Sequence, residues 1–171
     1  MKRTSSRTTH EGKLSQVRID EFRYEDGSSA EREIVAHPGA VAIVAHDDER
    51  LFMVRQPREP VGEESLLELP AGKLDEEGET PLQCAKRELI EEVGLEAEEW
   101  REVKRFYTSP GFTDEEVHLF MATGLTRVDP QPGEGERIEI LEVALDDLEE
   151  TIDSCADAES LIGLLFLRAE R

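Results

Sequence analysis

The sequence has little positive charge for its size. Its 171 residues include 20 lysines and arginines against 41 aspartates and glutamates, which gives a formal net charge of −21. This excess of negative charge repels nucleic-acid phosphates and acidic lipid headgroups, so we expect neither nonspecific nucleic-acid binding nor binding to an acidic membrane. A phosphate-bearing ligand would need metal ions or a few well-placed arginines to be held.

Cysteines and long apolar runs are also scarce. The two cysteines, Cys84 and Cys155, lie far apart without the spacing of a metal site, which favours free thiols in a reducing cytoplasm. No apolar run reaches the roughly 18–20 residues of a membrane span. Residues 1–9 are polar and basic and lack the apolar segment of a secretory signal, so we expect a disordered tail there. Together these features predict a cytoplasmic protein without a membrane span.

Hydrophobic periodicity predicts strands before and after one central helix, with more helices at the end of the chain. Alternating segments at 14–24 and 30–36 predict a small antiparallel β unit that is too short to bury a core alone. We therefore assign residues 1–36 to a tail and an N-terminal β subdomain, and residues 37–171 to one α/β (α+β) domain with a mixed sheet. The other predicted strands are 40–45, 51–56, 65–69, 102–108, 116–122 and 137–144, and the predicted C-terminal helices are 146–153 and 158–168.

The central helix has clear start and stop signals. Thr80 and Gln83 fit a capping box, Pro81 fits the first helical position, and Gly94 fits the residue just after the helix. An apolar stripe at helical spacing is predicted to face the core. Its members are Leu82, Ala85, Leu89 and Val93.

Three glutamates crowd the last turns of this helix beside an arginine. Glu88, Glu91 and Glu92 follow Arg87, and they lie on the face next to the apolar stripe. Like charges at this spacing repel each other by a few tenths of a kcal/mol per pair on an isolated helix. A divalent cation among the carboxylates explains the crowding best.

These residues and their spacing resemble the motif of the Nudix hydrolase family, G-x5-E-x7-R-E-U-x-E-E-x-G-U, where U is aliphatic. The chain matches from Glu79 onward but has six residues, rather than five, between Gly72 and Glu79. The extra residue precedes the helix and leaves the spacing of the acids unchanged. The matching residues are Gly72, Glu79, Arg87, Glu88, Leu89, Glu91, Glu92, Gly94 and Leu95.

The resemblance implies an α/β/α sandwich that hydrolyses a nucleoside diphosphate linked to another moiety. It implies that Mg²⁺, with Mn²⁺ as the alternative, binds Glu88, Glu91, Glu92 and the backbone carbonyl of Ala71. Carboxylate and carbonyl oxygens suit such hard cations. Gly72 would let the backbone approach the metal and the substrate phosphates. Among residues that serve catalysis, Arg87 would orient the carboxylates and Glu91 would hold a metal or a metal-bound water.

Two flanking segments resemble the ADP-ribose pyrophosphatase subgroup. Pro110, within Ser109–Glu115, lies 15 residues after Leu95, which is the position of a subgroup mark. Arg58 matches an arginine that contacts substrate phosphate in that subgroup, although Pro57 replaces the usual aromatic residue before it. Arg58 as an ordinary surface ion-pair residue, and Pro110 as part of a plain turn, remain open alternatives.

The attacking water needs a general base, and the glutamates of the motif are engaged if all of them bind metal. In the subgroup this role is often assigned to a glutamate on a later loop. The segment 133–139 resembles that loop, with Glu136 as the first choice and Glu134 or Glu139 as alternatives.

The resemblance therefore predicts hydrolysis of ADP-ribose, or of a related ADP- or NDP-sugar, to a nucleoside monophosphate and a sugar phosphate. Enzymes of this subgroup are commonly homodimers in which the N-terminal β unit helps to form the partner's adenine site. Two alternatives stay open: a hydrolase of another nucleoside diphosphate derivative, such as a dinucleotide polyphosphate or a damaged nucleotide, and a nonhydrolytic nucleotide-sugar sensor. The intact set of glutamates weighs against the sensor.

Overall fold

The computed structural model describes residues 1–12, 15–130 and 137–171. Within them the chain forms a three-stranded sheet, a seven-stranded sheet and three α-helices. The strands are Lys2–Glu11 (β1), Gln16–Arg23 (β2), Ser29–Ala36 (β3), Ala40–His46 (β4), Arg50–Arg58 (β5), Glu63–Glu68 (β6), Ala71–Lys73 (β7), Leu95–Tyr107 (β8), Glu116–Arg127 (β9) and Glu139–Ala144 (β10). The helices are Pro81–Glu88 (α1), which continues as a π-helical turn over Leu89–Val93, Leu148–Ser154 (α2) and Ala158–Glu170 (α3). No helix among the described residues is long and apolar enough to cross a membrane.

The N-terminal sheet is antiparallel in the order β1-β2-β3, and it contains a strand where the sequence predicts a disordered tail. That prediction is wrong because β1 pairs with β2 through its backbone and polar side chains rather than through buried apolar residues. Ser6 donates a 2.5 Å hydrogen bond to the buried Asp20, and Thr9 donates one to the carbonyl of Val17. Every residue of β1 is exposed, so hydrophobic periodicity carries no signal for this strand.

The seven-stranded sheet is mixed, because β4 and β9 are parallel while the other pairs are antiparallel. Strands β4 and β5 pair only where Ala45 and His46 meet Phe52 and Leu51. Beyond that point β7 joins the edge of β4, and β6 joins the edge of β5. The chain between β6 and β7 therefore crosses from one strand to the other at the place where they part. Strand β7, which the sequence analysis misses, is only three residues long.

Helix α1 covers one face of this sheet, and α2 and α3 cover the other, which confirms the α/β/α sandwich. The buried residues form one apolar cluster on each face. On the α1 side Leu89 and Val93 are buried as predicted, but Leu82 is exposed and Cys84 is buried in its place. The inward face of the first turn is therefore rotated from the predicted stripe. The central members of the clusters are Val44, Met53, Leu119, Leu164 and Leu167 on the α3 side, and Val41, Ile43, Leu89, Val93 and Phe120 on the α1 side.

Candidate active site

The acidic helix begins and ends at the predicted residues. The Thr80 side chain accepts a hydrogen bond from the Gln83 N–H, and the Gln83 side chain accepts one from the Thr80 N–H at 2.9 Å, which confirms the capping box. Gly94 ends the helix in the left-handed conformation, with φ at 68°. Glu91 and Glu92 lie in the π-helical turn. Such turns occur frequently at functional sites.

Arg87 holds the carboxylates around it by ion pairs. Its Nε and Nη2 donate to the two carboxylate oxygens of Glu79, each at 3.0 Å, and its Nη1 donates to Glu88 at 2.7 Å and to Glu91 at 3.0 Å. The hydrogen bonds from Arg87 lower the pKa of Glu79. The extra residue in the loop before the helix therefore does not prevent Glu79 from reaching Arg87. This geometry is that of an arginine that orients carboxylates.

The backbone at Ala71 and Gly72 lies directly against two of the predicted metal ligands. The Ala71 N–H donates to the buried Glu92 carboxylate at 3.0 Å. A Cβ added to Gly72 would lie 2.1 Å from the carboxyl carbon of Glu88, so only glycine fits here without moving that side chain. The preceding residues are also fixed, because the Ile43 N–H donates to the Pro70 carbonyl at 2.9 Å.

A cleft of about 490 Å³ lies at the place where β4 and β5 part. The cleft brings together Ala71, Gly72, Glu88, Glu92 and Arg58 from the predicted site, while Glu91 is not among its lining residues. Its other lining residues include His37, Gln56, Lys73, Asp75, Glu115 and Glu159.

The oxygen atoms of the cleft suit a hard divalent cation, because carboxylate oxygens lie next to the backbone of Ala71 and Gly72. Across residues 1–12, 15–130 and 137–171 no three His, Cys, Asp or Glu side chains are gathered as a ready-made ligand set. Arg87 instead engages Glu88 and Glu91.

Arg58 is exposed and reaches the cleft while its guanidinium is paired with the buried Glu68. Its Nε and Nη2 donate to the two carboxylate oxygens of Glu68, each at 2.7 Å, and the Gln56 amide donates to the same carboxylate at 2.9 Å. The hydrogen bonds that Arg58 donates to Glu68 raise the pKa of Arg58. Sequence reasoning missed Glu68, because a glutamate at the end of a strand carries no signal until its burial is known. Arg58 is thus both an ion-pair residue and a cation at the cleft.

The cleft has a second set of polar residues, His37, Glu115 and Glu159, which we call the α3 side. The Thr108 hydroxyl donates to Glu115 at 2.6 Å, and His37 Nδ1 lies 3.2 Å from the other oxygen of Glu115. Glu159 lies in the first turn of α3, where burial, aided by the charges of nearby acids, raises the pKa of its carboxyl to about 7. Sequence reasoning named none of the three, because they come from three distant segments.

Pro110 lies away from this cleft, in a groove of about 730 Å³ between the turn 109–115 and the N-terminal sheet. The exposed rings of Tyr107 and Phe112 line the groove together with Arg18 and Arg32. The Val35 N–H donates to the Phe112 carbonyl at 2.8 Å, and Arg18 donates to Asp114 at 2.7 Å. Since Glu115 lines the cleft, one short turn separates the two concave surfaces.

Two of the three predicted general-base residues, Glu134 and Glu136, lie outside the described residues. The third, Glu139, is the first residue of β10 and is exposed. It lines a different groove with Arg55, Pro57 and Arg137. That groove adjoins the cleft through Gln56, which lines both.

The chain belongs to the NUDIX domain family, whose model matches residues 35–161. Members of this family typically use a divalent metal ion.

An ADP-ribose pyrophosphatase of Bacillus subtilis is 40% identical over 92% of this chain and 86% of its own length. A methanol dehydrogenase activator of Bacillus methanolicus is 39% identical over 93% of this chain and 88% of its own length. An ADP-ribose pyrophosphatase of Mycobacterium tuberculosis is 49% identical over 72% of this chain and 60% of its own length. A solved structure described as an ADP compounds hydrolase superposes with a TM-score of 0.84 over 99% of this chain and 92% of its own, at 21% identity, and thereby supports the fold.

Proposed function

We propose that this protein is a magnesium-dependent hydrolase that cleaves the pyrophosphate bond of ADP-ribose, or of a related ADP- or NDP-sugar. The products are a nucleoside monophosphate and a sugar phosphate. The observation that carries the proposal is the meeting of Glu88 and Glu92 with the Ala71–Gly72 backbone in one cleft beside Arg58. The ADP-ribose pyrophosphatases among its relatives support this substrate.

The cation, with Mn²⁺ as the alternative to Mg²⁺, would be held by Glu88, Glu91, Glu92 and the Ala71 carbonyl. When bound, it would neutralise phosphate charge and activate water. Arg87 sets the orientation of Glu88 and Glu91 through its ion pairs.

We propose that Arg58, which is paired with Glu68, contacts a substrate phosphate with its guanidinium. Glu136 is proposed as the general base that takes a proton from the attacking water, with Glu134 and Glu139 as alternatives. Such a base acts within hydrogen-bond reach of the water.

We propose that the nucleobase of the substrate binds in the groove at Pro110. An aromatic ring can stack on a base, and arginines beside it can bind phosphate or ring nitrogens. The groove supplies both kinds of group, and it adjoins the turn that leads to the cleft. The aromatic rings are those of Tyr107 and Phe112, and the arginines are Arg18 and Arg32. We propose that the protein is a cytoplasmic homodimer in which the N-terminal β unit of one subunit completes this groove in the other.

A substrate panel tests the proposal. The protein is incubated with Mg²⁺ and, separately, with ADP-ribose, ADP-glucose, GDP-mannose, diadenosine tetraphosphate and an oxidised deoxynucleoside triphosphate, and kcat/KM is measured for each. We expect ADP-ribose to be among the best substrates, with no turnover in excess EDTA. If ADP-ribose ranks below the polyphosphates or the oxidised nucleotide, the substrate assignment is wrong.

A regulatory role is the second candidate, because one relative of similar length is an activator of a dehydrogenase. A sensor of nucleotide sugars would bind ADP-ribose without hydrolysing it. The substrate panel together with isothermal titration of ADP-ribose in the presence of Mg²⁺ separates an enzyme from a sensor. A sensor would show binding of ADP-ribose in the titration and no product in the panel.

A further inference from the structure

Glu159 occupies a fixed position at the cleft. The Asp157 carboxylate caps helix α3, accepting hydrogen bonds from the Ser160 N–H at 2.8 Å and from the Ser160 hydroxyl at 2.7 Å. The buried Leu69 N–H donates to the same hydroxyl at 2.7 Å. The start of α3 is therefore joined by a hydrogen bond to the segment that leads to Ala71 and Gly72. This hydrogen bond fixes the position of the Glu159 backbone relative to the proposed metal site.

Glu159 differs in its hydrogen bonding from the other acids of the cleft that are at least partly buried. Glu88 accepts from Arg87, Glu92 accepts the Ala71 N–H, and Glu115 accepts the Thr108 hydroxyl. Within the described parts of the chain, no hydrogen bond or salt bridge reaches the Glu159 carboxylate. Burial, followed by the charges of nearby acids, raises its pKa to about 7 against the opposing charge of Arg58. The acids are Asp157, Glu115 and Glu68.

A partly buried carboxylate without a protein donor is an acceptor that a ligand can use. If the pyrophosphate lies between the proposed metal ligands and Arg58, the group beyond the second phosphate meets the rest of the cleft lining, which includes Glu115 and Glu159. Sugar hydroxyls in that place donate hydrogen bonds to carboxylates. A third or fourth phosphate at this position would be repelled by the negative charge of these carboxylates, and this repulsion disfavours polyphosphate substrates.

We propose that Glu159 is a specificity-determining residue, which accepts hydrogen bonds from hydroxyl groups of the moiety beyond the second phosphate and disfavours substrates that carry a further phosphate at that position. This inference rests on the proposed function. It favours nucleoside diphosphate sugars over dinucleotide polyphosphates as the substrate class of the cleft.

The test compares two substrates in the full-length wild type and in Glu159→Gln, which keeps the size of the side chain and removes its charge. In the variant we expect kcat/KM for ADP-ribose to fall about tenfold, because a site built to bind a hydroxyl loses its charged acceptor. The value for diadenosine tetraphosphate should stay constant or rise. If its turnover is below detection, its inhibition constant against ADP-ribose replaces kcat/KM.

The matched control is Glu150→Gln, which removes the same charge from an exposed position on α2 and should leave both values unchanged. A purely structural role of Glu159 would lower kcat/KM for both substrates together. That result, or an unchanged kcat/KM for both substrates, would overturn the inference while the proposed function stands. Failure of the wild type to hydrolyse ADP-ribose would instead refute the proposed function and the inference with it.

Discussion

The two sides of the cleft differ in how they are built. The α1 side, with Glu88 and Glu92, comes from one helix and one short backbone segment, and its carboxylates have contacts with Arg87 and the Ala71 N–H. The α3 side comes from a linker, a turn and the start of a helix. The comparison suggests that the reaction is encoded locally, whereas the choice of substrate is spread over distant segments.

The largest effect should come from removing a ligand on the α1 side. We expect Glu92→Gln to reduce kcat by roughly 10³-fold, because several kcal/mol of charge stabilisation would depend on the metal that Glu92 is proposed to hold. The amide oxygen can still accept the Ala71 N–H, so the fold should persist. Steady-state kinetics and circular dichroism check both statements, and near-normal turnover in a folded variant would remove the metal-site assignment.

A smaller effect on the same side should follow from crowding the backbone. In Gly72→Ala the new methyl would lie 2.1 Å from the Glu88 carboxyl carbon and would force this side chain away. We expect kcat/KM to fall roughly 10–100-fold, which is the usual loss when the groups that orient a metal ligand are disturbed, because Glu88 is a proposed ligand. The concentration of Mg²⁺ needed for half-maximal rate should rise. An unchanged Mg²⁺ dependence would mean that Glu88 is not a ligand in the active enzyme.

The smallest effect belongs to the α3 side and concerns stability. The folded-state pKa of Glu159, about 7, lies above its ordinary value of 4.5. The stability linked to its protonated form is therefore present below pH 4.5 and is lost as pH rises through 7. In EDTA, Glu159→Gln should raise the free energy of unfolding at pH 8 by at most about 3 kcal/mol and leave it unchanged near pH 4.5. Urea unfolding at both pH values measures this, and an absence of gain at pH 8 would show that the carboxylate is not desolvated.

The parts of the molecule that a local pattern encodes could be predicted from the sequence. The capping box at Thr80 and the left-handed Gly94 fixed the helix that carries the glutamates, and eight of the strands were indicated by apolar runs or alternation. Strand β1 could not be predicted, because it buries no side chain. Strand β7 was missed because three residues are too few to show a period.

The polar residues of the site follow the same division. Glu88, Glu92 and Arg87 could be named because their spacing on one helix constrains their geometry. Glu68 and Glu159 could not, since a glutamate in a chain with 41 acidic residues is unremarkable until its burial and its neighbours are known. Only tertiary structure brings α3 against the chain between β6 and β7.

We expect this cleft to cleave a pyrophosphate bond with the help of a bound divalent cation. The most direct test is to identify the products of ADP-ribose by ion-exchange chromatography after incubation with Mg²⁺ and after incubation with EDTA. We expect AMP and ribose 5-phosphate in equal amounts, with Mg²⁺ only. Intact ADP-ribose in the presence of Mg²⁺, or the same products in EDTA, would contradict it.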